Sequence, residues 1–295
     1  MDYSALKKLL KGRVEFDHPI ASETSYRLGG RVAVLTEPEE EQDAARLLRW
    51  AKEQGVRCLA LGGGSNVLFS DDGFEGVVIQ PGSSLRAVTI SGDSVRAGAG
   101  AALTTVMNKA AEAGLGGLEF CAGIPGTIGG AVVGNAGGKE GAVGEWIEEL
   151  MAVAPDGSPR RIDKSDYSYA YRSSSLQGSG LFLARVTLKL PLISSEEAKR
   201  KIRDYWQSRR DKQPLGKRNA GSVFKNPPGS FAGRLIEEVG LKGYRKGGAQ
   251  VSEVHANFIN HEEGGTAKDV VAVMREIQHR VFDTKGIRLE PEIIP

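Results

Sequence analysis

The sequence predicts an α+β fold, and three observations carry that reading. A strand–helix–strand pattern ends at Leu61. Short strand runs with turn signals between them come next. Helical periodicity then returns in well-capped segments, the last of them beginning near Thr266. A chain of 295 residues has room for a large core split into two or three domains.

Leu6, Leu9 and Leu10 are spaced for a short amphipathic helix, and Val32–Leu35 reads as a strand. Pro38 opens a helix to about Gln54. Glu39, Glu40 and Glu41 fall in its first turn, where the helix dipole favours negative charge, and Gly55 ends it. The strand Cys58–Leu61 then delivers the loop Gly62-Gly63-Gly64-Ser65-Asn66 at its C-terminal end, where α/β units place ligands. Short strands follow at Val77–Gln80, Ala87–Ile90 and Val95–Ala97. A helix over Ala102–Ala113 puts Leu103, Val106, Met107 and Ala110 on one face. Strands are expected near Glu149–Ala154 and Leu181–Leu190. Ser194 and Glu197 form a capping box for a helix to about Asp211, and a domain boundary is placed here. The C-terminal part adds a helix at Ser230–Val239. A last helix, capped by Thr266 and Asp269, reaches about Phe282 with Val270, Met274, Ile277 and Val281 facing the core.

The chain is organised around Cys121–Gly138, CAGIPGTIGGAVVGNAGG, in which seven of eighteen residues are glycine. Such a run presents backbone N–H groups to a flat or anionic ligand, a phosphate or a cofactor ring. Ile124, Ile128, Val132 and Val133 are interleaved and read as a loop held against a core. Two familiar motifs are near misses. Gly98-Ala-Gly100 lacks the third glycine and the acidic residue of a dinucleotide fingerprint. Gly134–Lys139 is one residue short of a P-loop and has Glu140 where Ser or Thr should hold magnesium.

Composition excludes other classes. With 39 basic and 37 acidic residues there is no basic surplus for general nucleic-acid binding. Cys58 and Cys121 form neither a CxxC pair nor a metal spacing, which fits a reducing compartment, and no metal is expected. His261-Glu262 has no partner histidine at zincin spacing, and His18, His261 and His279 read as surface or packing residues. Trp50, Trp146 and Trp206 read as core or interface. No apolar run approaches the ~20 residues needed to span a bilayer, and the start of the chain has no apolar signal core. The expectation is a cytoplasmic protein.

The ordered set Tyr26-Arg-Leu-Gly-Gly30, Leu61–Leu68, Gly117-Leu-Glu-Phe120, Ala122–Gly130, Tyr171-Arg172-Ser173, Gly221–Pro227 and Leu289-Glu-Pro-Glu292 resembles the UDP-N-acetylenolpyruvoylglucosamine reductase family along nearly the whole chain. The resemblance implies an FAD-binding fold of the vanillyl-alcohol oxidase (PCMH) type, made of two α+β subdomains at 1–70 and 71–193. A C-terminal α+β substrate-binding domain at 194–295 completes it. It is similar to the family's shorter type, since no insertion carrying a further tyrosine fits between Arg172 and Leu181. The first glycine loop lacks the histidine that tethers flavin in some relatives, which implies noncovalent FAD. The FAD contacts implied are Tyr26, Arg27, Gly62, Gly63, Gly64, Ser65, Asn66, Gly123, Ile124, Pro125, Gly126, Thr127, Gly129 and Gly130.

The family reaction reduces the enolpyruvyl ether of UDP-N-acetylglucosamine to UDP-N-acetylmuramate, with NADPH as co-substrate. Flavin N5 delivers hydride to C3, and C2 is protonated. The resemblance gives Arg172 the substrate carboxylate, in a planar fork that steadies the developing enolate. It gives Glu292 a proton-bearing place beside that carboxylate, with a raised pKa, because a bare carboxylate there would repel the intermediate. Ser222 becomes the donor to C2, with Lys225 and Asn226 as its relay. Lys212, Lys225, Asn226 and Lys242 would meet the diphosphate, as would Arg209 or Arg210. His255 would contact the substrate. Tyr171, with Tyr167 and Tyr169, would line the sugar pocket. On pattern alone other readings stay open: Arg172 as a paired surface arginine, Glu292 as a solvated glutamate, Ser222 as a turn hydroxyl, His255 as packing against Phe258. Two further functions compete, an FAD-dependent sugar or aldonolactone oxidase and a UDP-sugar sensor without catalysis. The expected partners are small molecules, with no nucleic acid and no membrane, and the protein is expected to be a monomer.

Overall fold

The computed structural model describes residues 2–138 and 140–294; Lys139, which closes the P-loop-like run, and Pro295, at the chain end, lie outside the described residues. The chain forms two compact units. The first comprises Met1–His18, Val32–Gly63 and Glu75–Ser208, and the second Pro19–Arg31, Gly64–Phe74 and Arg209–Pro295.

The first unit opens with α1 (Leu6–Leu9), β1 (Arg13–Pro19), β2 (Arg31–Glu37), α2 (Glu41–Glu53), β3 (Cys58–Ala60) and β4 (Phe74–Ile79). The four strands make one sheet in the order β1-β2-β4-β3, with β3 and β4 parallel. Helix α2 begins at Glu41, later than Pro38. Glu40 is extended, the Asp43 carboxylate reaches back to the Glu39 N–H, and Glu39 instead accepts from the backbone of Ser83 and Ser84. A second sheet is built from β5 (Val88–Ser91) and β6 (Ser94–Gly98), joined after helix α3 (Leu103–Glu112) by later strands.

The glycine-rich stretch is not all loop. Its middle winds into α4 (Ile128–Val133), capped by Thr127, whose hydroxyl accepts the Gly130 N–H at 3.2 Å. Ile128 and Val132, one turn apart, are both fully buried, so burial and a cap outweigh the poor helix propensity of two glycines. Two short hairpins and three longer strands follow: β7 (Gly137–Gly138), β8 (Gly141–Ala142), β9 (Ile147–Val153), β10 (Pro159–Ile162), β11 (Tyr169–Ala170), β12 (Ser173–Ser174) and β13 (Phe182–Lys189). Strand β13 pairs antiparallel with both β9 and β6, giving the order β10-β9-β13-β6-β5. Helices α3 and α4 supply Val106, Ala110, Ile128 and Val132 to the core over this sheet.

Helix α5 (Ser195–Lys212) is capped at its start, where the Ser194 hydroxyl accepts the Glu197 N–H. Only Ala198 in it is buried, and the boundary between the units falls inside it, after Ser208. Trp206 is not a core residue: it is 43% exposed, in a groove with Met107, Ala122 and Ile202. Trp50 stays partly buried against Tyr3.

The second unit contains α6 (Ala232–Glu238), the antiparallel sheet β14 (Arg245–Lys246), β15 (Ala249–Val251) and β16 (Ile259–His261), and α7 (Ala267–Lys285). Helix α7 presents Val270, Met274, Ile277 and Val281 to the core and carries the expected Thr266–Asp269 capping box. Its N-terminus gains a second cap from Asp71, whose carboxylate accepts from the N–H groups of Ala267 at 2.8 Å and Lys268 at 2.9 Å. This contact ties segment 64–74 to the C-terminal part of the chain.

Candidate active site

In the first unit the two glycine-rich loops meet. A Cβ on Gly63 would lie 2.8 Å from the Gly126 Cα, and one on Gly62 would lie 2.5 Å from the Thr127 hydroxyl oxygen. Only glycine permits backbone to approach backbone so closely. The paired loops leave Gly63, Pro125 and Gly130 exposed and Gly62, Gly123, Ile124, Gly126 and Thr127 half-exposed, while Gly129 is buried against Ala99. A wall of half-exposed backbone, backed by a packed core, suits a large flat or anionic group held by main-chain contacts.

The end of α4 then fixes the predicted catalytic arginine. Tyr171 and Arg172 form the two-residue turn between β11 and β12. That hairpin is pinned where Asn135 Nδ2 donates to the Ala170 carbonyl at 3.0 Å and the Ser174 hydroxyl donates to the Val133 carbonyl at 2.6 Å. Arg172 has φ 53°, a conformation usually left to glycine or asparagine, and its guanidinium lies 5.9 Å from the Tyr171 ring centroid. A strained non-glycine residue at a turn tip, in a hairpin pinned by two side-chain-to-carbonyl hydrogen bonds, is the kind of position that function selects. The three tyrosines do not share one environment. Tyr167 and Tyr169 pack edge to face at 5.2 Å, and burial raises both phenol pKa values. Tyr171 is 56% exposed.

In the second unit Ser222, Asn226 and His255 line one cavity of about 330 Å³, together with Phe231, Arg234 and Glu237. The segment carrying Ser222 is clamped by buried Asn257, which accepts from the Phe224 N–H at 3.0 Å and donates to the Phe224 carbonyl at 2.8 Å. Asn226 Oδ1 accepts the Ala232 N–H at 2.9 Å, which orients its amide at the start of α6. His255 Nδ1 accepts the Asn257 N–H at 3.2 Å, so the neutral ring carries its proton on Nε2. Burial, with the nearby Lys242 charge, lowers the His255 pKa. His255 also packs edge to face on Phe258, so the packing reading and the cavity reading hold together.

Glu292 lies on the segment paired with that of Ser222: its N–H donates to the Val223 carbonyl at 2.8 Å, while Lys225 N–H donates to the Glu290 carbonyl at 2.9 Å. On its other side the same segment meets the first glycine loop, where Asn66 Nδ2 donates to the Glu292 carbonyl and Leu68 N–H to the Ile294 carbonyl. Asn66 thus braces the Glu292 backbone.

Other predicted contacts have surroundings of their own in the structure. Tyr26 is fully buried in the core of the second unit, where burial raises its phenol pKa, so its side chain offers no surface to a ligand. Arg27, at φ 56°, turns its guanidinium back to the Ser22 carbonyl. Gly64 packs on the Glu23 and Thr24 backbone. Lys225 pairs with Glu290 at 2.6 Å and Lys242 with Glu237 at 3.2 Å, whereas Lys212 is exposed at the end of α5. Sequence reasoning missed Asn257, Phe231, Arg234 and Glu237. The only signal was position: Asn257 follows His255 by two residues, and the other three fall on the helix expected at Ser230–Val239. Among the described residues no group of His, Cys, Asp or Glu could hold a metal, and no helix is long and apolar enough to cross a membrane.

Comparison with known proteins defines first the class. Residues 32–163 match the FAD binding domain family model. The fold is shared with a BBE-like protein of Physcomitrella patens (TM-score 0.50, 21% identity, 63% of this chain and 44% of that one). The chain therefore carries an FAD binding domain with the fold of that wider class. The glycine loops fit that cofactor, because they form an accessible main-chain wall whose seam leaves no room for a side chain at Gly63.

The particular family follows from the other half. Residues 213–294 match the C-terminal domain of UDP-N-acetylenolpyruvoylglucosamine reductase. Reductases of that name from Symbiobacterium thermophilum and Moorella thermoacetica are 40% and 41% identical, each across 96% of this chain and 92% and 93% of theirs. The crystal structure of the Thermus caldophilus reductase superposes with TM-score 0.83 at 33% identity, over 97% of this chain and all of that one. The chain belongs to the UDP-N-acetylenolpyruvoylglucosamine reductase family.

Proposed function

We propose that the protein reduces UDP-N-acetylglucosamine enolpyruvate to UDP-N-acetylmuramate in the cytoplasm, as a monomer, with NADPH as electron donor. One observation carries the reading: Ser222, Asn226 and His255 share a cavity, and the Ser222 segment is hydrogen-bonded to that of Glu292. In functional terms residues 1–70 and 71–193 serve FAD and 194–295 serve the UDP-sugar. The paired glycine loops would hold FAD noncovalently, and the cofactor would supply the hydride that C3 of the enolpyruvyl group receives.

The chain's own residues do the rest. Arg172 holds the substrate carboxylate in a planar fork, and its preset turn conformation spares it reorganisation as charge develops. Ser222 gives its proton to C2. A serine hydroxyl is a weak acid, so its segment must be rigid and its alkoxide stabilised; the Asn257 clamp supplies the first, and Lys225 and Asn226 the second. Glu292 presents a proton-bearing carboxyl to the same substrate group. Lys212, Lys225 and Lys242 meet the diphosphate with Asn226, and His255 donates from Nε2. Tyr171 covers the sugar. No observation favours the oxidase reading, which gives no role to the Ser222 and Glu292 segments. The Ser222→Ala variant tests the proposal: flavin reduction by NADPH should persist while transfer to the enolpyruvyl sugar falls by about 10²–10⁴. Undiminished turnover would contradict the proton-donor role.

A further inference from the structure

Two lysines assigned to the diphosphate are already engaged by carboxylates. Lys242 Nζ lies 3.2 Å from Glu237 Oε1, and Lys225 Nζ lies 2.6 Å from Glu290 Oε1. In each pair the lysine is the better buried partner. Side-chain exposures are 33% for Lys242 against 59% for Glu237, and 22% for Lys225 against 69% for Glu290. The lysine stems pack while the glutamates face water, so stem burial rather than the carboxylate sets where each ammonium stands. Glu237 is also in the wall of the cavity that holds Ser222 and His255, and Glu290 precedes the Glu292 segment by two residues. A carboxylate lining a cavity meant for a diphosphate opposes its ligand, unless it can be exchanged. An exposed ion pair is weak and screened by salt. A phosphate group brings more charge and more acceptor oxygens than one carboxylate.

We propose that Glu237 and Glu290 are exchangeable counter-ions, which neutralise Lys242 and Lys225 until a nucleoside diphosphate displaces them. They act as specificity-determining residues. A weak monoanion does not repay the loss of either pair, while the greater charge of a diphosphate does. The inference rests on the UDP-sugar reading of this cavity and adds to it the two acidic residues that oppose binding.

The test is calorimetric titration of UDP into the FAD-loaded protein and its variants, at low and at high salt. Glu237→Gln and Glu290→Gln should each bind UDP about two- to fivefold more tightly, the equilibrium equivalent of one exposed ion pair, with a smaller gain at high salt. Glu237→Asp and Glu290→Asp, which keep the charge, should stay near wild type. So should Glu276→Gln, which removes an acid paired with Arg280 on α7. Retained flavin absorbance reports that each variant is folded. Glutamine variants that bind UDP no better than wild type, or more weakly, would overturn the exchange. A wild-type protein that does not bind UDP would overturn the UDP-sugar reading itself.

Discussion

At the scale of single residues, the site depends on side chains whose backbone is held by others. Asn257 is the clearest case. It is 4% exposed and satisfies both backbone groups of Phe224. Asn257→Ala should lower stability by roughly 2–4 kcal/mol in urea unfolding, since two buried backbone groups lose their partners, and should reduce turnover along with Ser222 positioning. Arg172→Lys should cost more than its charge suggests, because a lysine keeps the cation but not the fork. His255 gives a pH signature. Burial and the Lys242 charge hold its pKa below the ordinary 6.5, so near that pH the unfolded chain binds more protons than the folded one. The stability contributed by neutral His255 is present above 6.5 and lost as pH falls toward its folded pKa. A thermal-unfolding series from about pH 7 to pH 5 should therefore slope less steeply for His255→Asn than for wild type.

At the scale of elements, the glycine loops and the capped helices behave differently under substitution. Gly63→Ala would drive a methyl group to 2.8 Å from Gly126 backbone, which has no flexible end to move aside. The expected outcome is a protein that purifies with little flavin and still unfolds cooperatively. Helix α7 was legible because its signals are local: a Thr266–Asp269 box and apolar residues at helical spacing. Helix α4 was not, because glycine content argues for loop, and only tertiary burial of Ile128 and Val132 reverses that. The late start of α2 has the same origin, since Glu39 is drawn off by the Ser83 and Ser84 backbone across 44 and 45 residues of sequence. Asp71 carried no sequence signal as a helix cap, being 196 residues from the N–H it serves. Asp71→Ala should cost about 1–2 kcal/mol in unfolding free energy, in the range of a lost N-cap.

For the whole molecule, the ordered motifs located the family, but they could not show how each residue is used. Tyr26 belongs to a shared motif and turns out to be core. Lys225 was legible as a cation, but the carboxylate opposite it was not, because Glu290 lies 65 residues away; Glu237 is only five residues from Lys242, but the turn between them breaks the helical spacing that would have signalled the pair. The chain alternates between its two compact units rather than filling one after the other, and the boundary falls within the first glycine loop, between Gly63 and Gly64. Substitutions in that loop should therefore affect both flavin retention and the stability of the C-terminal part, which flavin fluorescence and the hydrogen-exchange protection of helix α7 would report separately. The central claim concerns electron flow through the whole protein. It is tested most directly by the visible spectrum under anaerobic conditions, first with NADPH and then with UDP-N-acetylglucosamine enolpyruvate. The account predicts an oxidised flavin band that bleaches with NADPH and returns when the sugar is added. A band that never bleaches, or that returns only with oxygen, would contradict it.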